Sequence, residues 1–389
     1  MENIKVAVIG LGNIGSAHTN CIANGEIKGF ELAAVCDINP KKLEEFKFLN
    51  VKQFLDYKEL FSENIVKAVI IAVPHPLHAE IAIEAFKHGL HVLLEKPADI
   101  TVSKVERIYK AHKKAGTVFS MMFNQRTNPV FIKAREIVKS GTLGELKRSV
   151  WIINNWFRTE FYYKSGDWRA TWRGEGGGVL INQAPHNLDL WQWICGMPST
   201  VTAFCEIAKH HDIEVEDEAT IITTYKNGAS GVFITSTGEY PGTNRLEVSG
   251  DYGKMVLENG KLKLWKLKES LLKVTKTSSE SFAEIDYDYS EFEGKPEGTG
   301  HKEIIQNFAN AILNGEQLIA PGTDGIFELT ISNAAYLSSW KNNTPVSIPF
   351  DNKEFDSYLN NLKKTSKYKQ KSISEKASNS YKNRWNVNW

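Results

Sequence analysis

Residues 10–15 read Gly-Leu-Gly-Asn-Ile-Gly, and what flanks them narrows the possible folds more than any other feature of the chain. An apolar run at 4–9 ("IKVAVI") leads directly into the first glycine, and a segment able to form a helix follows the last. A second apolar run, 30–37, ends in Asp37, about twenty residues further on. A strand, a glycine turn, a helix, and an acid closing the next strand are the parts of a dinucleotide-binding βαβ unit. The glycines of such a turn let a pyrophosphate approach backbone N–H groups at a helix N-terminus. Gly10, Gly12, Asn13, Ile14 and Gly15 are therefore cofactor-binding candidates. So is Asp37, whose carboxylate can accept hydrogen bonds from ribose hydroxyls and would repel a 2′-phosphate. No arginine follows it immediately. The expected cofactor is NAD, in preference to NADP.

The same alternation continues to residue 123. The runs 67–73 ("KAVIIAV"), 90–94 ("LHVLL") and 117–123 ("TVFSMMF") are continuously apolar, as strands covered on both faces are. Between the first two lies 76–88, which Pro76 suits as a helix start and Gly89 as a stop. Repeated βα alternation predicts a doubly wound parallel sheet, an α/β Rossmann domain, over residues 1–123. Beyond 124 the texture changes. A helix-like segment at 129–139 precedes a series of strand-like runs between 200 and 290, punctuated by turns at Asn227-Gly228 and Asn259-Gly260. Helical patterns follow at 301–313 and near 324–341. The expectation for 124–350 is an α+β domain with a large, mostly antiparallel open sheet, and for 351–389 a polar, basic C-terminal extension.

Bulk composition excludes several classes. The 389 residues are 42% hydrophobic and carry a net charge of +1, which gives no global pull toward nucleic acid or a membrane surface. The four cysteines (Cys21, Cys36, Cys195, Cys205) are scattered, with no C-x-x-C pair, and read as reduced thiols; no metal site is expected. The opening "MENIKVAVIG" leaves no room for a signal peptide, and no apolar run approaches the roughly 18 residues of a membrane span. A cytoplasmic protein is expected.

Two segments fall where ligands of an open α/β sheet bind, at the carboxyl ends of strands. "VPHPLHAE" (73–80) contributes Pro74, His75 and His78, and "EKPAD" (95–99) contributes Glu95 and Lys96. These, with Asn124 and Arg126 at the end of the last strand, are candidates for the cofactor crevice and its substrate side. In the second domain, Gly176-Gly177-Gly178 opens an apolar run bearing Asn182, His186 and Asp189. On an ideal helix these three lie within about 60° of one another, opposite Leu180, Ile181, Leu188 and Trp191. Pro185 predicts a kink or a late helix start.

The glycine turn, Asp37, Pro74 to His78, Glu95-Lys96-Pro97, and the triple glycine with His186 eight residues on occur in an order that resembles the Gfo/Idh/MocA oxidoreductases. The resemblance covers about 3–350. It implies that Lys96 and His186 flank the nicotinamide as a catalytic pair, and that the open face of the second sheet forms subunit contacts in a homodimer or homotetramer. Family members usually carry an aspartate four residues before the histidine; this chain has Asn182. Six of the ten tryptophans fall between 151 and 193, around Trp168, Arg169 and Trp172, which suits a sugar or cyclitol ring bound against aromatic faces. The implied reaction is oxidation of a secondary ring hydroxyl, with the histidine as base, the lysine stabilising the alkoxide, and Asn182 as a hydrogen-bonding catalytic residue. Alternatives within the resemblance are an NAD-dependent glycosidase, working by transient oxidation at C3 and elimination, and a non-catalytic dinucleotide-binding regulator.

Overall fold

A computed structural model describes residues 3–294 and 300–367. It divides the chain into two units, Met1–Thr127 with Glu297–Leu329, and Asn128–Pro296 with Thr330–Trp389.

The first unit is built on six strands: β1 (Ile4–Ile9), β2 (Phe30–Cys36), β3 (Lys52–Phe54), β4 (Ala68–Ile71), β5 (His91–Leu94) and β6 (Phe119–Met121). All pair in parallel, in the order β3-β2-β1-β4-β5-β6. Five helices alternate with them: α1 (Asn13–Ala23), α2 (Pro40–Glu44), α3 (Tyr57–Ser62), α4 (His78–Lys87) and α5 (Val102–Ala115). The central strands carry the core because both faces are covered; Val6, Ala7, Val8 and Ala68 through Ile71 are fully buried. The strand order reverses between β1 and β4, so the crevice beyond their carboxyl ends is the place where such a sheet takes a ligand. The glycine turn follows β1, and the Val73–His78 segment follows β4.

The second unit opens with α6 (Pro129–Lys139), β7 (Leu146–Ile153), α7 (Glu160–Lys164) and α8 (Pro185–Cys195). Strands β8 (Thr200–Ile207), β9 (Glu216–Thr224), β10 (Ser230–Ser236), β11 (Asn244–Gly250), β12 (Gly253–Glu258) and β13 (Lys261–Leu267) follow. After α9 (Leu271–Thr277) comes the edge strand β14 (Tyr287–Glu293). The nine-stranded sheet, ordered β14-β13-β12-β11-β7-β10-β9-β8-β15, is closed by β15 (Val346–Ser347). All pairings are antiparallel except β10 with β7. Along β7, Ser149, Trp151 and Ile153 are buried while Val150 and Ile152 are half-exposed, the alternation of a sheet with one covered face. Asn259 and Gly260, at φ +53° and +72°, make the two-residue turn of the β12–β13 hairpin.

Three further helices complete the described chain: α10 (His301–Asn314), α11 (Gly325–Trp340) and α12 (Asn352–Thr365). The sequence places 301–313 in the second domain, but α10 joins the first unit, where Phe308 meets Phe30 of β2 edge-on at 5.9 Å. The division falls within α11. Residues 352–365, expected within a polar extension, form an amphipathic helix that buries Phe355 and Leu359. The remainder of that extension from 368, with Trp385 and Trp389, lies outside the described residues. Among the described residues, no helix is long and apolar enough to cross a membrane, and no group of three or more histidine, cysteine or acidic side chains could hold a metal ion.

Candidate functional site

In the first unit the three glycines of the turn answer different demands. Gly10 has φ +89°, and a Cβ there would lie 2.4 Å from the Ala72 carbonyl oxygen of the β4 loop. A Cβ on Gly15 would meet the Gly10 carbonyl oxygen at 1.8 Å. Gly12 is exposed, and a Cβ there would find nothing within 4 Å. The first two close the turn against the sheet; the third leaves open space beside the N-terminus of α1, which Gly12 caps without any side-chain bond. Asn13 is likewise exposed and Ile14 half-exposed. Uncapped N–H groups and the positive end of the helix dipole suit a pyrophosphate.

Asp37 is half-exposed at the end of β2. One carboxylate oxygen accepts the Leu11 N–H at 2.7 Å and the other accepts the Asn39 N–H at 2.8 Å. The acid thus anchors the turn and keeps lone pairs for ribose hydroxyls. The next residue, Ile38, is 88% exposed, so no cation directly follows the acid. Asn124 is buried and its side-chain oxygen has no partner, an acceptor of the kind a ligand N–H would satisfy. Together these groups fit NAD.

Several other candidates of this unit are buried and bonded within it. His78 is fully buried, with one ring nitrogen 2.7 Å from the Pro97 carbonyl oxygen and the other 2.8 Å from that of Val73. It ties the two crevice loops together. Pro74 is exposed, and His75 is buried with its ring 5.9 Å from that of His78. Glu95 is buried and bonded to His18 Nε2 at 2.7 Å. Burial alone would raise its pKa, but the His18 hydrogen bond and the charges of His18, His301 and Lys96 outweigh it and hold the carboxyl below its ordinary range. Lys96 is half-exposed on the same loop. Arg126, expected on the substrate side, is 1% exposed. It donates to Asp324 at 2.6 Å, and its guanidinium lies over the Phe123 ring.

In the second unit α8 starts late: Pro185 occupies its first turn, where a missing N–H costs nothing. Asn182 and Gln183 therefore lie in the loop before the helix, while the candidates His186 and Asp189 lie on it. His186 is 8% exposed; Asp189 is buried and accepts from Gln192 Nε2 at 3.1 Å. The glycines ahead of the loop make room for protein. A Cβ on Gly178 would lie 1.9 Å from the Glu216 carbonyl oxygen, and one on Gly177 would lie 2.2 Å from the Tyr336 hydroxyl.

Glu216, at the start of β9, accepts N–H groups from Gly178 at 3.0 Å and Leu180 at 2.9 Å, and the Tyr336 hydroxyl at 2.6 Å. Burial pushes its carboxyl pKa up to about 7, against the downward pull of those bonds. The Asn182 side-chain nitrogen donates to Glu175, and Gln183 Nε2 donates to the Tyr162 hydroxyl at 3.2 Å. Arg169 lies over the rings of Tyr162 and Trp168 and donates to the Tyr162 hydroxyl at 3.0 Å. Trp172, expected to meet substrate, is withdrawn into an aromatic cluster with Tyr336 and Trp340. Glu216, Tyr336, Glu175, Tyr162, Gln183 and His18 were not legible as site residues. Glu216, Tyr336 and His18 act through partners far away in sequence, Gln183 and Tyr162 lie 21 residues apart, and Glu175 meets Asn182 seven residues on, but none sits in a spacing that marks it.

The first unit matches a family described as an oxidoreductase family with an NAD-binding Rossmann fold, over residues 4–123, and residues 131–256 match the GFO/IDH/MocA C-terminal domain. The chain belongs to the Gfo/Idh/MocA family. It is an NAD-dependent oxidoreductase. It is 27% identical to myo-inositol 2-dehydrogenase of Thermotoga maritima over 342 residues, 85% of this chain and 95% of that one. Levoglucosan dehydrogenase of Pseudarthrobacter phenanthrenivorans is 26% identical over 66% of this chain and 74% of its own. The fold is similar to that of the WlbA dehydrogenase from Bordetella pertussis, solved with NADH and UDP-GlcNAcA, at a TM-score of 0.75 and 23% identity, covering 90% of this chain and 100% of that one.

Proposed function

We propose that this oxidoreductase dehydrogenates a secondary ring hydroxyl of a sugar, glycoside or cyclitol, with Lys96 and His186 as its acid–base pair. The observation that carries the reading is the similarity, over most of the chain, to relatives named for oxidising inositols and levoglucosan. Gly10, Gly12, Asn13, Ile14, Gly15 and Asp37 hold the dinucleotide, with Asn124 offering its side-chain oxygen. Bound NAD supplies the hydride acceptor. His186 takes the hydroxyl proton, since an imidazole changes charge near neutral pH. Lys96 shares that proton with His186 and stabilises the developing alkoxide. Trp168, with Arg169 stacked on it, offers the aromatic and hydrogen-bonding surface a ring substrate needs.

The test is a screen of sugars, glycosides and inositols with added NAD, following NADH absorbance. Accumulation of NADH with a polyol supports the reading; sugar release without NADH would replace it with the glycosidase reading. Lys96→Ala should abolish turnover while leaving NADH affinity within about threefold, and full retained activity would remove Lys96 from the pair. The half-exposed sheet face, with Phe204 and Ile222 each 43% exposed, supports assembly into a homodimer or homotetramer. Light scattering on the purified protein decides between these and a monomer.

A further inference from the structure

The loop before His186 reaches a carboxyl group through a direct side-chain bond from Asn182. The Asn182 nitrogen donates to Glu175 Oε1. Glu175 is 2% exposed, and its second oxygen accepts the Ala170 N–H at 2.5 Å. Ala170 has φ +52°, a left-handed conformation that a residue with a side chain adopts where its surroundings hold it. Gln183, the next residue, is fixed to Tyr162. Successive loop side chains therefore grip the 160–175 segment at two points, one a carboxyl group and one a tyrosine hydroxyl. In the first grip Asn182 presents its nitrogen to a carboxyl oxygen, the arrangement an ionised carboxylate requires because it only accepts.

We propose that Glu175 is the anion of this site and Asn182 its neutral holder, so that the negative charge belongs to the Glu175–Asn182 pair and can be moved from one position to the other. Glu175 is a positioning residue. Its charge favours the imidazolium that His186 becomes on accepting the substrate proton, and its bond to Asn182 fixes the loop leading into α8. The inference rests on the proposed dehydrogenase reading. Asn182 is then not a defective acid: an aspartate at 182 would face Glu175 at hydrogen-bond distance, where two carboxylates cannot both stay ionised.

The test is a charge exchange in the full-length chain: Glu175→Gln, Asn182→Asp and the double variant. Readouts are NADH production across pH with whichever polyol the screen identifies, NADH affinity by fluorescence, and Tm across pH. Glu175→Gln keeps the size and an acceptor oxygen. It should lower kcat at least about tenfold and shift the acidic limb of the pH profile, with NADH affinity unchanged. Asn182→Asp should lose a similar factor, and its Tm should fall from pH 5 to pH 8 more steeply than that of the parent. The double variant should recover kcat to within about threefold and restore the parental Tm profile. Glu175→Gln with full kcat and an unshifted profile would overturn the inference, as would a double variant no better than the singles. If the unaltered enzyme oxidises no polyol, the dehydrogenase reading fails. The pair is then judged by Tm alone, where a double variant no more stable than Asn182→Asp at pH 8 overturns it.

Discussion

Gly12 and Gly178 sit in similar company, each in a glycine cluster between a preceding segment and a helix, yet they clear space for different occupants. A methyl group at Gly12 would meet nothing within 4 Å, while one at Gly178 would lie 1.9 Å from a backbone oxygen of Glu216. Each cluster is anchored by a carboxylate from a neighbouring strand: Asp37 holds the Leu11 N–H, and Glu216 holds those of Gly178 and Leu180. Asp37 is half-exposed and has capacity left for a ligand; Glu216 is buried and spends its acceptors on the protein. One glycine loop leaves open space beside a helix N-terminus, and the other packs against a strand ahead of a helix that begins at Pro185 and carries His186.

The largest effect should come from exchanging the two glycines for alanine. Gly178→Ala drives a Cβ into backbone that no rotamer change can relieve, an overpacking cost of about 3 kcal/mol or more. The variant should lose several degrees of Tm or fail to fold. Gly12→Ala places its methyl in open space with extended backbone and should melt within a few degrees of the parent. Its NADH affinity should fall at least about tenfold, because the methyl occupies the pyrophosphate approach. Thermal melts paired with NADH titration check both arms. A Gly178→Ala variant that melts normally would break the comparison.

Next in size is the titration of the buried anchor. Burial raises the Glu216 pKa from 4.5 to about 7 in the folded state. Between those values the folded protein binds more protons than the unfolded chain, so stability falls as pH rises through the window and is level above it. A shift of that size corresponds to a contribution on the order of 3 kcal/mol, fully present below the lower value and lost above the upper one. Glu216→Gln removes the proton and should flatten this part of the stability profile, read from denaturant midpoints between pH 4.5 and pH 8. An unchanged slope would show that Glu216 does not titrate in this range. Asp37, half-exposed, should contribute no comparable slope.

The same contrast explains what was legible in the sequence. The parallel sheet could be read from continuous apolar runs, because strands covered on both faces have no polar alternation. The glycine turn could be read because its spacing is local: residue 10 to residue 15, with Asp37 one strand later. Pro185 announced the late start of α8 for the same reason. The buttress under the second loop could not be read. Glu216 lies 38 residues from Gly178, and Tyr336 another 120 beyond Glu216. An acid within "EVEDEAT" looks like any other on a strand. Burial also reassigned residues that local chemistry flagged. Arg126 and Trp172 carry the right groups for a substrate, but the folded chain spends one on Asp324 and sets the other edge-on against Tyr336. Periodicity shows a return segment such as α10 as a helix, but not that it joins a sheet formed some 200 residues earlier.

The smallest effect, and the one that most sharpens the comparison, is Asp37→Asn. Asparagine keeps one acceptor oxygen, enough for either the Leu11 or the Asn39 N–H, and turns its amine toward the other, so the turn loosens slightly. The substitution also removes the charge that would repel a 2′-phosphate. NADH affinity should fall while NADPH affinity holds or improves, moving the preference toward the phosphorylated cofactor by about tenfold, or ~1.4 kcal/mol. Parallel fluorescence titrations with NADH and NADPH give the ratio directly, and Tm should change by only a degree or two because the carboxylate is half-exposed. If affinity for both cofactors dropped equally, Asp37 would be acting as Glu216 does, as an anchor for its loop and nothing more. A change confined to the ratio would show that the first loop's anchor also reads its ligand.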